Sequence, residues 1–136
     1  MQDQNQGSIS LPPWLSAAAR AALASAFLLS AVLKVADFPA AVAEVRALTG
    51  IEPAALVAGL VIAVQLGGSA LLLLGGHATR IGAMLLGGFT LAATLVAHDF
   101  WNEQGDAQIR DMTVFFEHMG LIGGFILAAS LAERTK

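Results

Sequence analysis

The sequence predicts an all-α membrane protein: a four-transmembrane-helix bundle with a short interfacial helix between helices 1 and 2. Three observations carry this prediction. Of 136 residues, 57% are hydrophobic and only 12% charged. That is about half the charged share of a soluble domain, too little polar surface to cover a water-soluble globule. The apolar residues gather in four runs, each close to the ~20 residues that cross a ~30 Å hydrocarbon core. Small residues recur in those runs at the spacing that lets helix backbones approach in lipid. The chain reads as one domain, residues 1–136.

The first run covers residues 14–35. Pro12 and Pro13 precede it, and Trp14 stands where an aromatic anchor meets the headgroups. The second covers 53–74; Gln65 is its one strongly polar residue, and Pro53 suits a first helical position. The third covers about 81–100 and the fourth about 112–131. Residues 75–80 are expected as a tight turn, and 102–111 as a polar, acidic connector. Between the first two runs, Ala41, Val45 and Leu48 recur at helical spacing beside Glu44 and Arg46. That pattern predicts the short amphipathic helix lying at the interface.

The expected packing stripes are Ala18, Ala22, Ala26 and Ser30 in the first run, and Ala55, Gly59, Ala63 and Gly67 in the second. Gly120, Gly124, Ala128 and Ala132 supply one in the fourth. A short repeat closes the first and third runs: Val35-Ala36-Asp37-Phe38 and Val96-Ala97-His98-Asp99-Phe100. It suggests two hairpins of similar design.

No basic residue precedes the first run, so the positive region of a signal peptide is missing and the first helix is expected to be retained. Four spans place both termini and the 75–80 turn on one side, with Arg20, Arg80, Arg134 and Lys136. The other side holds Lys34, Arg46 and Arg110. Counting Lys and Arg alone, this favours N-in, C-in. The net charge of −3 and the scattered basic residues give no footprint for nucleic acid or a polybasic lipid patch. The absence of cysteine excludes disulfides, thiolate metal sites and thiol–disulfide exchange by this chain alone.

Ionisable residues inside spans are costly and usually face the bundle interior. Lys34, His98 and Glu117 form a candidate polar pocket, flanked by Asp37, Asp99, Trp101 and His118. Gly124 and Ala128 follow Glu117 within about 20° on a 3.6-residue helix. Glu117 is therefore expected to point into the bundle, with His118 turned about 100° away. Gly87 and Thr94 precede His98 on one face, so His98 continues it, while Asp99 meets water, a helix-end lysine or the neighbouring loop. Trp101 reads as an aromatic-belt anchor, and Arg20 as a residue whose head snorkels toward water or phosphate.

Two readings of the cluster stand. In one, its members only neutralise each other, Lys34 pairing with Asp37, Glu117 or Asp99. In the other, Lys34 and His98 donate hydrogen bonds to a carbonyl-bearing ligand and Glu117 relays protons. A quinone headgroup fits the second, with two acceptor carbonyls, a lipid-soluble body and proton uptake on reduction. His98 and His118 sit on two helices, but nothing in their spacing requires a shared haem. Haem and metal are not expected, and His77 lies in the turn at the far end.

The series Ala19-Arg20, Phe27-Leu28-Leu29-Ser30 and Lys34-Val35-Ala36-Asp37-Phe38 resembles the start of DoxX-like membrane proteins. So do the Leu-rich end of the second run with Gly75-Gly76 and Thr79-Arg80-Ile81-Gly82-Ala83, and His98-Asp99-Phe100-Trp101 after the third. Gly123-Gly124 and Leu127 also fit, so the resemblance covers about residues 20–131. It implies a four-helix protein of the bacterial inner membrane. Related DoxD-type members are subunits of a thiosulfate:quinone oxidoreductase, and others are linked to membrane oxidoreductase complexes handling oxidative stress. The resemblance therefore implies a subunit or accessory of a quinone-linked system, with membrane or periplasmic redox partners or further copies of itself. The alternatives are a non-catalytic anchor for another protein, or a small lipid or solute transporter. One departure stands out. Family members often carry Lys-Asn where this chain has Glu117-His118, which reverses the local charge.

Overall fold

A computed structural model describes residues 11–132. Its elements are α1 (Pro13–Ala36), α2 (Phe38–Thr49), α3 (Ala54–Leu74), α4 (Gly76–Ala97), a 3-10 turn (Phe100–Asn102) and α5 (Gly105–Ala132). No strand occurs among the described residues. Helices α1, α3, α4 with its 3-10 extension, and α5 are each long and apolar enough to cross a membrane. The four spans and the short helix after the first are as the sequence predicts. Both copies of the Val-Ala repeat end a helix, α1 at Ala36 and α4 at Ala97.

Three boundaries differ. The expected turn at 75–80 is much tighter. Gly75, at φ +93°, makes the turn and α4 already begins at Gly76. The acidic connector is mostly helix, because α5 starts at Gly105, with Asp106 complementing the helix dipole in its first turn. Pro53 precedes α3 rather than opening it, and follows a cis peptide bond from Glu52. Arg134 and Lys136, counted in the topology argument, lie outside the described residues.

Asp37 starts α2: its carboxylate accepts from the Ala40 N–H at 3.1 Å, satisfying a backbone donor that the first helical turn leaves free. Gly50 ends α2 in the left-handed region at φ +65°, its N–H bonded to the Arg46 carbonyl. That backbone conformation favours glycine. Ala41 and Val45 of α2 lie buried against Ala54 and Ala58 of α3, whereas Leu48 stays exposed.

Helix α4 lies between α3 and α5, and α1 lies against α3. The α1–α5 seam is only loosely closed. The core joins Ala24 and Phe27 of α1, Leu72 of α3, Ala83 and Leu86 of α4 and Phe125 of α5. The Phe27 ring meets Phe125 and Phe89 edge-on, with centroids 5.5 and 6.4 Å away, a favoured aromatic geometry.

The packing stripes shift. In α3 the buried residues are Ala54, Ala58, Gln65, Gly68, Ser69 and Leu72. Ala55, Gly59, Ala63 and Gly67 face outward, one residue out of register. In α1 the buried residues are Ala24, Phe27 and Ala31, and Ala18, Ala22 and Ala26 are exposed. Small residues occupy both registers in each helix, so spacing alone does not choose between them. The register adopted is the one that also inserts Leu72, Phe27 and the polar Gln65 and Ser69. The α5 series fares better: Gly124 backs onto Leu23, although Gly120 is exposed.

Candidate functional site

A cavity of about 470 Å³ opens inside the bundle at the end where α1 and α4 finish and α3 and α5 begin. That volume falls within the roughly 300–1,000 Å³ of small-molecule sites. Helix α2 borders it with Glu44, Val45, Leu48 and Thr49. Its walls are largely apolar, with Phe27, Val61, Phe89 and Leu121 among them. Lys34, Gln65, Thr90, His98 and His118 are its polar points.

Lys34 stands in the last turn of α1 with its side chain 17% exposed. Its ammonium bonds Glu44 of α2 at 2.6 Å, rather than Asp37, Glu117 or Asp99 as the neutralising reading expects. Asp37 is engaged in starting α2. The Lys34–Glu44 pair ties α2 across the cavity, and its Glu44 end is half exposed. Two of the three ammonium protons remain for other acceptors.

Gln65 is 5% exposed on α3 and donates from Nε2 to Ser30 Oγ on α1 at 3.1 Å. Its Oε1 is buried with no hydrogen-bond partner. The side chain thus presents a free acceptor atom and a second N–H beside the cavity. A buried acceptor left unpaired costs about 1–3 kcal/mol.

His98 follows α4 directly, its N–H bonded to the Thr94 carbonyl at 3.0 Å. Its Nδ1 lies 3.7 Å from Asp111 Oδ1, an ionic contact when the ring is charged but too long for a hydrogen bond. Nδ1 is accordingly buried without a hydrogen bond. The His98 ring meets the His118 ring edge-on, with centroids 5.2 Å apart. His118 Nδ1 lies 2.7 Å from Thr94 Oγ1, and Thr94 Oγ1 lies 2.6 Å from the Thr90 carbonyl. With the single Thr94 proton on that carbonyl, His118 is the donor from Nδ1 and its Nε2 carries the lone pair. Asp111, His98, His118 and Thr94 form a polar string running inward from the α5 entrance.

The structure thus brings Lys34, His98 and His118 to one cavity. It places Glu117 elsewhere. Glu117 lies on the exposed outer face of α5, and His118 takes the inward position. The expected inward turn of Glu117 rested on its register with Gly124 and Ala128. Those residues border the seam with α1, whereas the α5 face that meets Thr94 and His98 carries His118. Asp99 accepts from Asn102 Nδ2 at 2.7 Å in the 3-10 turn. Trp101 is 53% exposed in a cluster of rings with Phe100, Phe115 and Phe116. Neither Asp99 nor Trp101 lines the cavity.

Sequence reasoning left Glu44, Ser30 and Thr94 out of the site. Gln65 carried a signal, as the lone strongly polar residue in an apolar run. Glu44 carried one too, facing Lys34 from the amphipathic helix. Thr94 looks like an ordinary small residue until α5 is placed beside it.

The family model described as DoxX matches residues 15–99. The chain belongs to the DoxX family. The match covers α1 to α4 and stops before the 3-10 turn, so it includes Lys34, Gln65 and His98. The Glu117-His118 pair, where the chain departs from the expected DoxX pattern, lies beyond it. Comparisons with curated proteins and with solved structures find no match. The DoxX assignment and the four apolar spans together make this a multi-pass membrane protein.

Proposed function

We propose that this DoxX protein is a membrane component of a quinone-linked redox system, and that the headgroup of a lipid-soluble quinone is held in the cavity beside α2. The observation that supports this reading most is the donor set on an otherwise apolar wall. Lys34 Nζ keeps two protons free, and the Gln65 amide keeps one N–H and an orphaned Oε1. His98 keeps a buried Nδ1 without a hydrogen bond. A quinone offers two carbonyl acceptors, and when reduced two hydroxyl donors, so the residues present fit it in either form.

A bound quinone supplies two-electron, two-proton redox chemistry. The chain's own residues hold and orient the headgroup. Lys34 and Gln65 approach from α1 and α3, and His98 from the end of α4. The string Asp111, His98, His118 holds protons between the α5 entrance and the cavity wall. His118 is oriented by Thr94, so its free Nε2 is the atom able to take up a proton. Electrons reach the site from a membrane or periplasmic partner. Since the chain has no cysteine, any thiol-based donor belongs to that partner. The bacterial inner membrane is the expected setting, with N-in, C-in topology.

The test is purification in mild detergent, solvent extraction, and chromatography of bound quinone, followed by rebinding of a short-chain quinone. Wild type is expected to retain quinone. Lys34→Met and His98→Leu are each expected to weaken rebinding about tenfold or more, the scale of a charge-assisted or buried hydrogen bond. Wild-type protein that binds no quinone, or folded variants that bind it unchanged, would sink the proposal.

A further inference from the structure

A second cavity, about 570 Å³, lies at the opposite end of the bundle in the loosely closed seam between α1 and α5. Its walls are apolar: Leu23 on α1, and Leu127, Ala128 and Leu131 on α5. Leu127 and Leu131 are 64% and 40% exposed, so the seam opens sideways toward lipid. Its polar end holds Arg20 and Thr79.

Arg20 does not snorkel outward as the sequence suggests. Its guanidinium turns into the bundle, beside Gly75, and Nη1 donates to Thr79 Oγ1 at 3.2 Å. Thr79 spends its own proton on the Leu72 carbonyl at 3.0 Å, so it serves Arg20 as acceptor. One of five guanidinium donors is thereby used. Nε is buried with no hydrogen-bond partner.

Among the described residues no carboxylate lies at this end of the bundle. Asp37, Glu44, Glu52, Asp99, Glu103, Asp106 and Asp111 are at the other end, and Glu117 is on the outer face of α5. An oxyanion against the guanidinium engages the donors left unused.

Arg20 and Thr79 lie near the same end of the bundle. Arg20 lies about 10 Å into α1 from Pro13, and Thr79 about 5 Å into α4 from Gly76. We propose that the seam binds an anionic phospholipid, its phosphate held by Arg20 level with the first turn of α4 and one acyl chain lying between α1 and α5. The second chain rests in bulk lipid past Leu127 and Leu131.

Native mass spectrometry of the detergent-purified full chain tests this, with phosphatidylglycerol and phosphatidylcholine of identical chains added in parallel. Wild type is expected to prefer phosphatidylglycerol by about tenfold, because no choline cation opposes its phosphate beside the Arg20 guanidinium. Arg20→Gln is expected to abolish the preference. Ala19→Trp, at an exposed position bordering the cavity, keeps Arg20 and obstructs the seam, so it should lose both adducts. Equal binding of the two lipids by wild type overturns the proposal. So does a preference that survives Arg20→Gln, an adduct undiminished in Ala19→Trp, or a free fatty acid that displaces phosphatidylglycerol.

Discussion

His118 Nδ1 on α5 lies 2.7 Å from the Thr94 hydroxyl on α4; with the Thr94 proton on the Thr90 carbonyl, the ring donates from Nδ1 and shows its other nitrogen as a base. The orientation depends on a two-step relay, since Thr94 passes its proton to the Thr90 carbonyl at 2.6 Å. Thr94→Val keeps the shape and removes the acceptor. It is expected to cost about 1–3 kcal/mol, because the His118 donor is left unpaired. Thermal unfolding in detergent reads the loss. Nitrogen NMR of the histidine ring should show the Nδ1–H tautomer in wild type and a mixture in the variant. A wild-type ring protonated on Nε2 instead would contradict the relay.

Lys34 and Glu44 should behave differently on substitution, although they form one ion pair. The pair is partly exposed, so losing it should change stability by no more than about 1 kcal/mol. Glu44→Gln frees the Lys34 protons and unties α2 from α1. Quinone is then expected to enter and leave faster, with its affinity within roughly threefold of wild type. Lys34→Met removes a donor and should weaken affinity itself. Stopped-flow binding separates the two outcomes. Equal affinity losses in both variants would mean that the ion pair, not Lys34 alone, forms the binding surface.

The architecture was legible because it depends on quantities that a chain displays without its fold: run length, charge scarcity and the amphipathic pattern of α2. The site was only half legible. Lys34 and His98 stand at helix ends, where an ionisable residue in an apolar run is conspicuous whichever way it points. Glu117 and His118 are adjacent, and only the docking of α5 on α4 decides which of them faces inward. The same limit applies to α3, where the stripe at Gly59 and the buried face at Ala58 differ by one residue. Helical periodicity defines faces well. It does not say which of two small-residue faces finds a partner.

Glu117 offers a direct test of which α5 face meets the cavity. Its side chain is on the outer face of α5, away from the cavity lining. Glu117→Gln is expected to leave quinone affinity within about twofold of wild type, less than the tenfold that 1.4 kcal/mol represents. A large loss in the same rebinding assay would return Glu117 to the site.

The junction of α2 and α3 carries a pH-dependent contact. The Arg46 guanidinium bonds Glu52, whose Oε2 also accepts from the Ala54 N–H at 2.8 Å. The Arg46 hydrogen bond, then the Ala54 one, hold the Glu52 carboxyl below its ordinary 4.5, and the Arg46 pKa is raised by the same contact. A carboxylate with a lowered folded-state pKa stabilises the fold above its unfolded value. That contribution is lost as pH falls through the lowered one. Both groups are exposed, so the effect should be local. Limited proteolysis at residues 50–53 is expected to accelerate as pH falls below 4.5, with an acid-active protease. Glu52→Gln should cleave quickly throughout. A wild-type rate flat across that window would mean that the pair does not hold the junction.

At Gly82 the backbones of α3 and α4 approach closely, and glycine there is a steric requirement. A Cβ at Gly82 would lie 2.6 Å from the Gly68 carbonyl oxygen, and would also meet Leu72 N. These are backbone atoms, which cannot swing aside as a side-chain end does. Gly82→Ala therefore has to shift the two helices locally, and overpacking of this kind costs about 1–3 kcal/mol. Gly59 is the control, since a Cβ there meets nothing within 4 Å. Gly59→Ala should shift stability by less than about 1 kcal/mol, and toward greater stability, through helix propensity. Parallel unfolding of the two variants in detergent measures the difference. Equal stabilities would show that α3 and α4 do not meet in the register described.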